Sequence, residues 1–204
     1  GEKGGGGSGA RPGSVDGSEG GTKAAPMSGG LEIDVITLFP GMLKGFLEES
    51  MLKRAQERGL CRIQAIDLRG FASGRHQVTD DRPFGGGPGM VMKPEPIVAA
   101  VESVRRPESR VIVMSPQGAT FTQREAERLS REAHLVFVCG HYEGVDERVR
   151  ETLAAEELSI GDYVLTNGVL PAAVVIDAAV RLVPGVLGAG ESATEEESFS
   201  SGLL

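Results

Sequence analysis

Residues 139–171 hold the groups best suited to chemistry. Cys139-Gly140-His141-Tyr142-Glu143-Gly144-Val145-Asp146-Glu147-Arg148 sets two glycines and two carboxylates directly after an apolar run. A second glycine-bearing turn follows at Gly161-Asp162-Tyr163, and a third turn signal at Asn167-Gly168. Glycine lets main-chain N–H and C=O groups approach a ligand with no Cβ in the way. Glycine loops so close in sequence can therefore line one pocket with backbone donors and acceptors. The alternative reading of the same residues is ordinary tight turns. Residues 69–90 gather Arg69, Arg75, His76 and Arg82 in a long loop, a length associated with function or mobility. Its Gly85-Gly86-Gly87-Pro88-Gly89 run lacks the Gly-Lys-Ser/Thr ending of a nucleotide P-loop. His76, His134 and His141 show no metal-ligand spacing, and Cys61 and Cys139 do not join them, so no metal site is expected.

The elements that must carry these loops follow from periodicity. Leu31–Thr37 alternates apolar and polar, as a strand does. Leu43, Phe46, Leu47, Met51, Leu52 and Ala55 recur at helical spacing, and Gly59 closes that helix. Ile63–Leu68 reads as the next strand. Pro94 opens a helix through about Val104. Val111–Met114 is a short buried strand, with Ser115–Gly118 as the turn after it. Thr122-Gln123-Arg124-Glu125 is a capping box, and its helix runs to about Glu132. Leu135–Cys139 is another buried strand, a short helical pattern follows it, and Pro171 opens a last apolar helix over 172–182. Strands alternating with helices predict an α/β fold with a mostly parallel sheet covered on both faces. In such sheets ligands bind at the carboxyl ends of strands. The 115–118, 140–144 and 161–163 loops all follow strands, so all three can face one crevice.

Composition limits the function classes. The 204 residues suffice for one domain plus tails. Aromatic residues are only 4% and tryptophan is absent, which argues against a base-stacking platform of aromatic side chains. A net charge of −8 is not the footprint expected of a nucleic-acid binder, although a local basic patch would serve. Both cysteines sit in or beside apolar runs, as buried free thiols of a reducing, cytoplasmic compartment would. There is no apolar run of membrane-spanning length and no secretory h-region. Residues 1–30 hold 12 of the 30 glycines and few apolar side chains, so a disordered tail is expected there, with Met27 a candidate start. The domain is expected over 31–188, followed by a flexible Gly/Ser/Glu-rich linker over 189–204 that looks truncated.

Several motifs together resemble one family. They are Leu38-Phe39-Pro40, Asp80-Asp81-Arg82-Pro83-Phe84-Gly85-Gly86-Gly87-Pro88-Gly89-Met90, Ser115-Pro116-Gln117-Gly118, Cys139–Arg148, Ser159–Leu165 and Pro184-Gly185-Val186-Leu187-Gly188. In this order they resemble the bacterial tRNA (guanine-N1)-methyltransferases of the SPOUT superfamily. The resemblance implies a knotted SPOUT domain with a deep C-terminal trefoil knot, a topology that no spacing argument reveals. It implies S-adenosyl-L-methionine as methyl donor, with Mg2+ admitted on resemblance alone. The donor would be held mainly through the main chain of Ser115, Pro116 and Gln117, then Gly140, Tyr142, Glu143 and Gly144, then Ile160, Gly161, Asp162, Tyr163, Val164 and Leu165, with Gly168 and Pro171. It implies tRNA as substrate and a homodimer whose active site is shared between subunits, with no membrane partner.

The implied reaction is methyl transfer to guanine N1 on the nucleotide just 3′ of the anticodon. By motif match Glu197 takes the place of the family's aspartate base, with Glu196 a neighbouring candidate, and Arg181 matches the family arginine. Without the resemblance, Glu195–Glu197 reads as a solvated acidic run. Three departures stand out. Glutamate is one methylene longer than aspartate, Asn167 and Val169 stand where the family often has Gly and Glu, and the helical C-terminal domain with which the family grips tRNA is expected to be absent from these residues. Two alternatives stay open: a SPOUT domain that binds donor or RNA without transfer, and a ribose 2′-O-methyltransferase of the same fold.

Overall fold

The computed structural model describes residues 1, 30–74, 77–83, 86 and 88–187. The Gly-rich tail, Arg75, His76, the 189–204 linker and both candidate bases, Glu196 and Glu197, lie outside the described residues.

Five strands form one sheet: β1 (Leu31–Thr37), β2 (Cys61–Asp67), β5 (Ser109–Thr120), β6 (His134–Cys139) and β7 (Glu156–Ser159), in the order β2-β1-β6-β5-β7. Every pairing in it is parallel. A two-stranded antiparallel ribbon, β3 (Asp80–Asp81) with β4 (Val91–Met92), stands apart. Helices α1 (Gly41–Leu47), α2 (Ser50–Glu57), α4 (Gln123–Leu129) and α6 (Val169–Val180) belong with one face, α3 (Pro94–Val104) and α5 (Glu147–Leu153) with the other. Strand alternation divides the core accordingly. Leu135, Phe137 and Cys139 of β6 join Leu43, Leu52 and the α6 residues Ala172, Val175 and Ile176. Val136 and Val138 join Ile97 and Val101 of α3 and Val149 of α5. This is the three-layer arrangement that parallel strands require, buried on both faces.

Two elements differ from the sequence reading. The helix expected through 43–55 is two helices, broken at Glu48–Glu49. On one straight helix Leu43 and Leu52, nine residues apart, would point about 180° from each other. The break lets both bury against the same core. The turn expected at Ser115–Gly118 is a bulge inside one long strand. Met114 and Ala119 both pair with Leu158, so the four residues between them leave the ladder. In the expected capping box, Thr122 Oγ1 accepts the Glu125 N–H, but the Glu125 carboxylate pairs with Arg128.

At the amino half of the strands a polar cluster is built into the sheet. Fully buried His134 places Nε2 3.0 Å from Asp34 Oδ2 and Nδ1 2.6 Å from Ser109 Oγ. A carboxylate only accepts, so Nε2 carries the proton and Nδ1 accepts from the serine hydroxyl. Ser109 Oγ in turn accepts the Arg106 N–H at 2.7 Å. Nearby, Arg106 and Arg62 hydrogen-bond Glu32 and hold its carboxyl down at about 2.

Candidate functional site

The bulge of β5 and the carboxyl ends of β6 and β7 open into one cleft. From β5 and its bulge come Met114, Ser115 and Pro116; from the turn after β6, Gly140 to Gly144; from β7 and the segment after it, Leu158 to Gly161 and Tyr163 to Gly168; from α6, Pro171. Glycine makes the floor. A Cβ on Gly168 would lie 2.9 Å from Cys139 Cα and 3.0 Å from Gly140 N, and Gly168 N–H donates to Gly140 O at 2.8 Å. The two loops thus touch backbone to backbone. Tyr142 adopts φ 59, a conformation that costs a non-glycine residue energy and clusters at functional sites. Ser159 braces the third loop, with Oγ donating to Gly161 O at 2.9 Å.

The rim is apolar and open: Tyr163 is 54% exposed and Val164 82%. The cleft measures about 120 Å3. Small-molecule sites run to roughly 300–1,000 Å3. A nucleoside-sized ligand therefore needs the mouth as well as the floor. Cys139 ends β6 just before the 140–144 turn without lining the cleft, and burial drives its thiol strongly upward, as it lifts Cys61 to about 11. Neither cysteine is a nucleophile in this state.

A second layer of backbone supports the cleft. Glu143 N–H donates to Met90 O (3.0 Å), Met92 N–H to Gly144 O (3.0 Å) and Asp146 N–H to Met92 O (3.2 Å). The end of the Gly-rich loop is thereby laced to the turn after β6. Asp146 then caps α5, accepting the Arg148 N–H at 2.9 Å, and the Arg148 guanidinium holds its carboxyl below the usual range.

Most sequence-singled residues therefore meet in one place. Gln117 and Asp162 do not line the cleft. Arg181 follows the last turn of α6, ten residues and about 15 Å of helix beyond Pro171, so this chain does not bring it to the cleft. Sequence reasoning missed Met114, Leu158, Ser159 and Thr166 as lining residues, and placed Asn167 and His141 at the pocket without naming either as a donor-holding residue. His141 stacks edge-on between Phe39 (4.9 Å) and Tyr142 (4.6 Å), and its buried Nδ1 has no hydrogen-bond partner. Its place inside the quoted motif was the available signal. Among the described residues, no group of three or more His, Cys, Asp or Glu side chains could hold a metal ion.

A parallel three-layer sheet with a backbone-lined cleft at its strand ends defines an α/β ligand-binding protein. Residues 31–204 match the family described as tRNA (Guanine-1)-methyltransferase TrmD, and the chain belongs to that family. A relative from Geobacillus kaustophilus, named tRNA (guanine-N(1)-)-methyltransferase, is 56% identical over 176 residues, covering 85% of this chain and 72% of its own. The protein of that name from Pelotomaculum thermopropionicum is 57% identical over 178 residues, covering 85% and 70%. That of Protochlamydia amoebophila is 54% identical over 172 residues, covering 84% and 77%.

Proposed function

We propose that this chain transfers a methyl group from S-adenosyl-L-methionine to N1 of the guanine just 3′ of the anticodon in tRNA. The observation that carries this reading is the family match across 31–204, which spans every loop that lines the cleft. A floor of glycine backbone with an apolar rim fits a neutral adenosine read by main-chain donors and acceptors. Ser115 and Pro116, the 140–144 turn, Ile160 and Gly161, Tyr163 to Leu165, and Gly168 with Pro171 would hold the donor. When bound, the donor supplies an electrophilic methyl carbon.

Guanine N1 carries a proton and is a poor nucleophile until that proton leaves. Glu197 acts as general base on it, with Glu196 the neighbouring candidate. Arg181 opposes the negative charge that builds on O6. Because Arg181 lies far along α6 from the cleft of its own chain, it acts in the active site of a homodimer, shared between subunits. Phe39, Met42, Leu170 and Val174 present exposed apolar side chains on the α1 and α6 side, as an interface between two copies requires. The deep trefoil knot and a cytoplasmic location belong to the same proposal. Among the described residues no helix is long and apolar enough to cross a membrane.

Incubation of the chain with methyl-labelled donor and full-length tRNA, followed by nucleoside analysis, tests the reading. The expected product is 1-methylguanosine, and Glu197→Gln is expected to slow its formation by roughly 100-fold or more. A ribose-methylated nucleoside, or unlabelled tRNA despite donor binding, would overturn it.

A further inference from the structure

Gly89 has φ +84, and a Cβ built on it would lie 2.5 Å from both Cγ and Oε1 of Glu143 and 2.8 Å from its Cδ. Atoms do not approach so closely, so the Glu143 side chain occupies space that only glycine leaves open. Glu143 lines the cleft, whereas Gly89 does not. The three main-chain bonds between 90–92 and 143–146 bracket this contact and keep the two loops from moving apart. A side chain at position 89 must therefore displace the Glu143 carboxylate, not the backbone. An ionised carboxylate is an acceptor-only group, suited to the cationic donor of the proposed reaction.

We propose that Gly89 is a positioning residue for methyl transfer: it fixes where the Glu143 carboxylate stands in the cleft by leaving room for it. This rests on the functional reading above. It gives Gly89 a steric part in the donor site from a position that does not itself line the cleft.

A double-mutant cycle in the full chain tests it. Gly89→Ala is expected to lower kcat/KM by roughly 100-fold, the effect of a displacement of about 1 Å. In a Glu143→Ala background the same change is expected to add no more than about 5-fold, the residue of left-handed backbone strain. Equal losses in both backgrounds would overturn the proposal, because strain alone acts independently of Glu143. Gly89→Asn, which tolerates the left-handed conformation yet carries a Cβ, is expected to lose as much as Gly89→Ala; wild-type behaviour would also overturn it. Thermal melting gives a readout independent of activity: part of the loss in Tm from Gly89→Ala is expected to vanish when Glu143 is alanine, and full additivity would refute the contact. If the wild-type chain transfers no methyl group while the melting cycle still shows coupling, the functional reading fails and the steric contact stands.

Discussion

His134→Ala is expected to destabilise the fold by about 3–5 kcal/mol, the cost of a cavity together with a buried carboxylate left without its hydrogen-bond donor. The ring fills a fully buried site and makes both of its hydrogen bonds inside the sheet. Its removal leaves Asp34, only 2% exposed, without the 3.0 Å partner of Oδ2, and Oδ1 already has no hydrogen-bond partner. The Arg62 guanidinium stands 3.6 Å from Oδ1, too long for a hydrogen bond to compensate. For a chain of this length the loss corresponds to a fall in Tm of roughly 6–20 °C. Ser109→Ala removes two neutral bonds, one to His134 Nδ1 and one from the Arg106 N–H, and is expected to cost about 1–3 kcal/mol. The cluster sits at the amino half of the strands and the cleft at their carboxyl ends, so donor affinity of the folded variant is expected to hold. Thermal melting and denaturant titration decide the matter; a loss under 1 kcal/mol for His134→Ala would mean that the pair contributes little.

Gly168→Ala is expected to damage stability and function together. The added methyl meets Cys139 Cα at 2.9 Å, Gly140 N at 3.0 Å and Cys139 C at 3.2 Å, all of them backbone atoms that no rotamer change can move. Relief requires parting the 139–140 and 168 segments and lengthening the 2.8 Å bond between Gly168 N–H and Gly140 O. Overpacking of this kind costs about 1–3 kcal/mol. The same displacement opens the cleft floor, and kcat/KM is expected to fall by roughly 100-fold. Gly45→Ala is the matched control, since its Cβ would meet nothing within 4 Å inside α1. It is expected to be neutral or stabilising by up to about 1 kcal/mol. Equal behaviour of the two variants, read by melting and methyl-transfer kinetics, would exclude close backbone contact at the floor.

What the sequence disclosed depended on whether the cause was local. The strand at 135–139 was legible because sheet burial demands apolar side chains in a short run, and that at 31–37 because apolar and polar residues alternate along it. The three turns were legible because glycine marks places where backbone must approach or bend, and those turns do converge on one cleft. Strand β7, expected only as the strand before the 161–163 loop, offered no such signal of its own. Glu156 and Glu157 are polar residues of an edge strand, tied by ion pairs to Arg128 and Arg150, so periodicity is silent there. The break between α1 and α2 is set by the direction in which Leu43 and Leu52 must bury, a tertiary demand. Contacts across long separations were out of reach as well. His134 and Asp34 are 100 residues apart, and Gly89 meets Glu143 only because the loops are laced together. The family motifs carried the identity of the reaction, and the carboxylate assigned to it lies outside the described residues.

Hydrogen–deuterium exchange of the full chain, with and without S-adenosylhomocysteine, tests donor binding at the strand ends most directly. Protection is expected in 114–116, 140–144 and 158–168, with the His134 end of the sheet unchanged. Unaltered exchange in those three segments at saturating ligand, or protection confined to another surface, would contradict it.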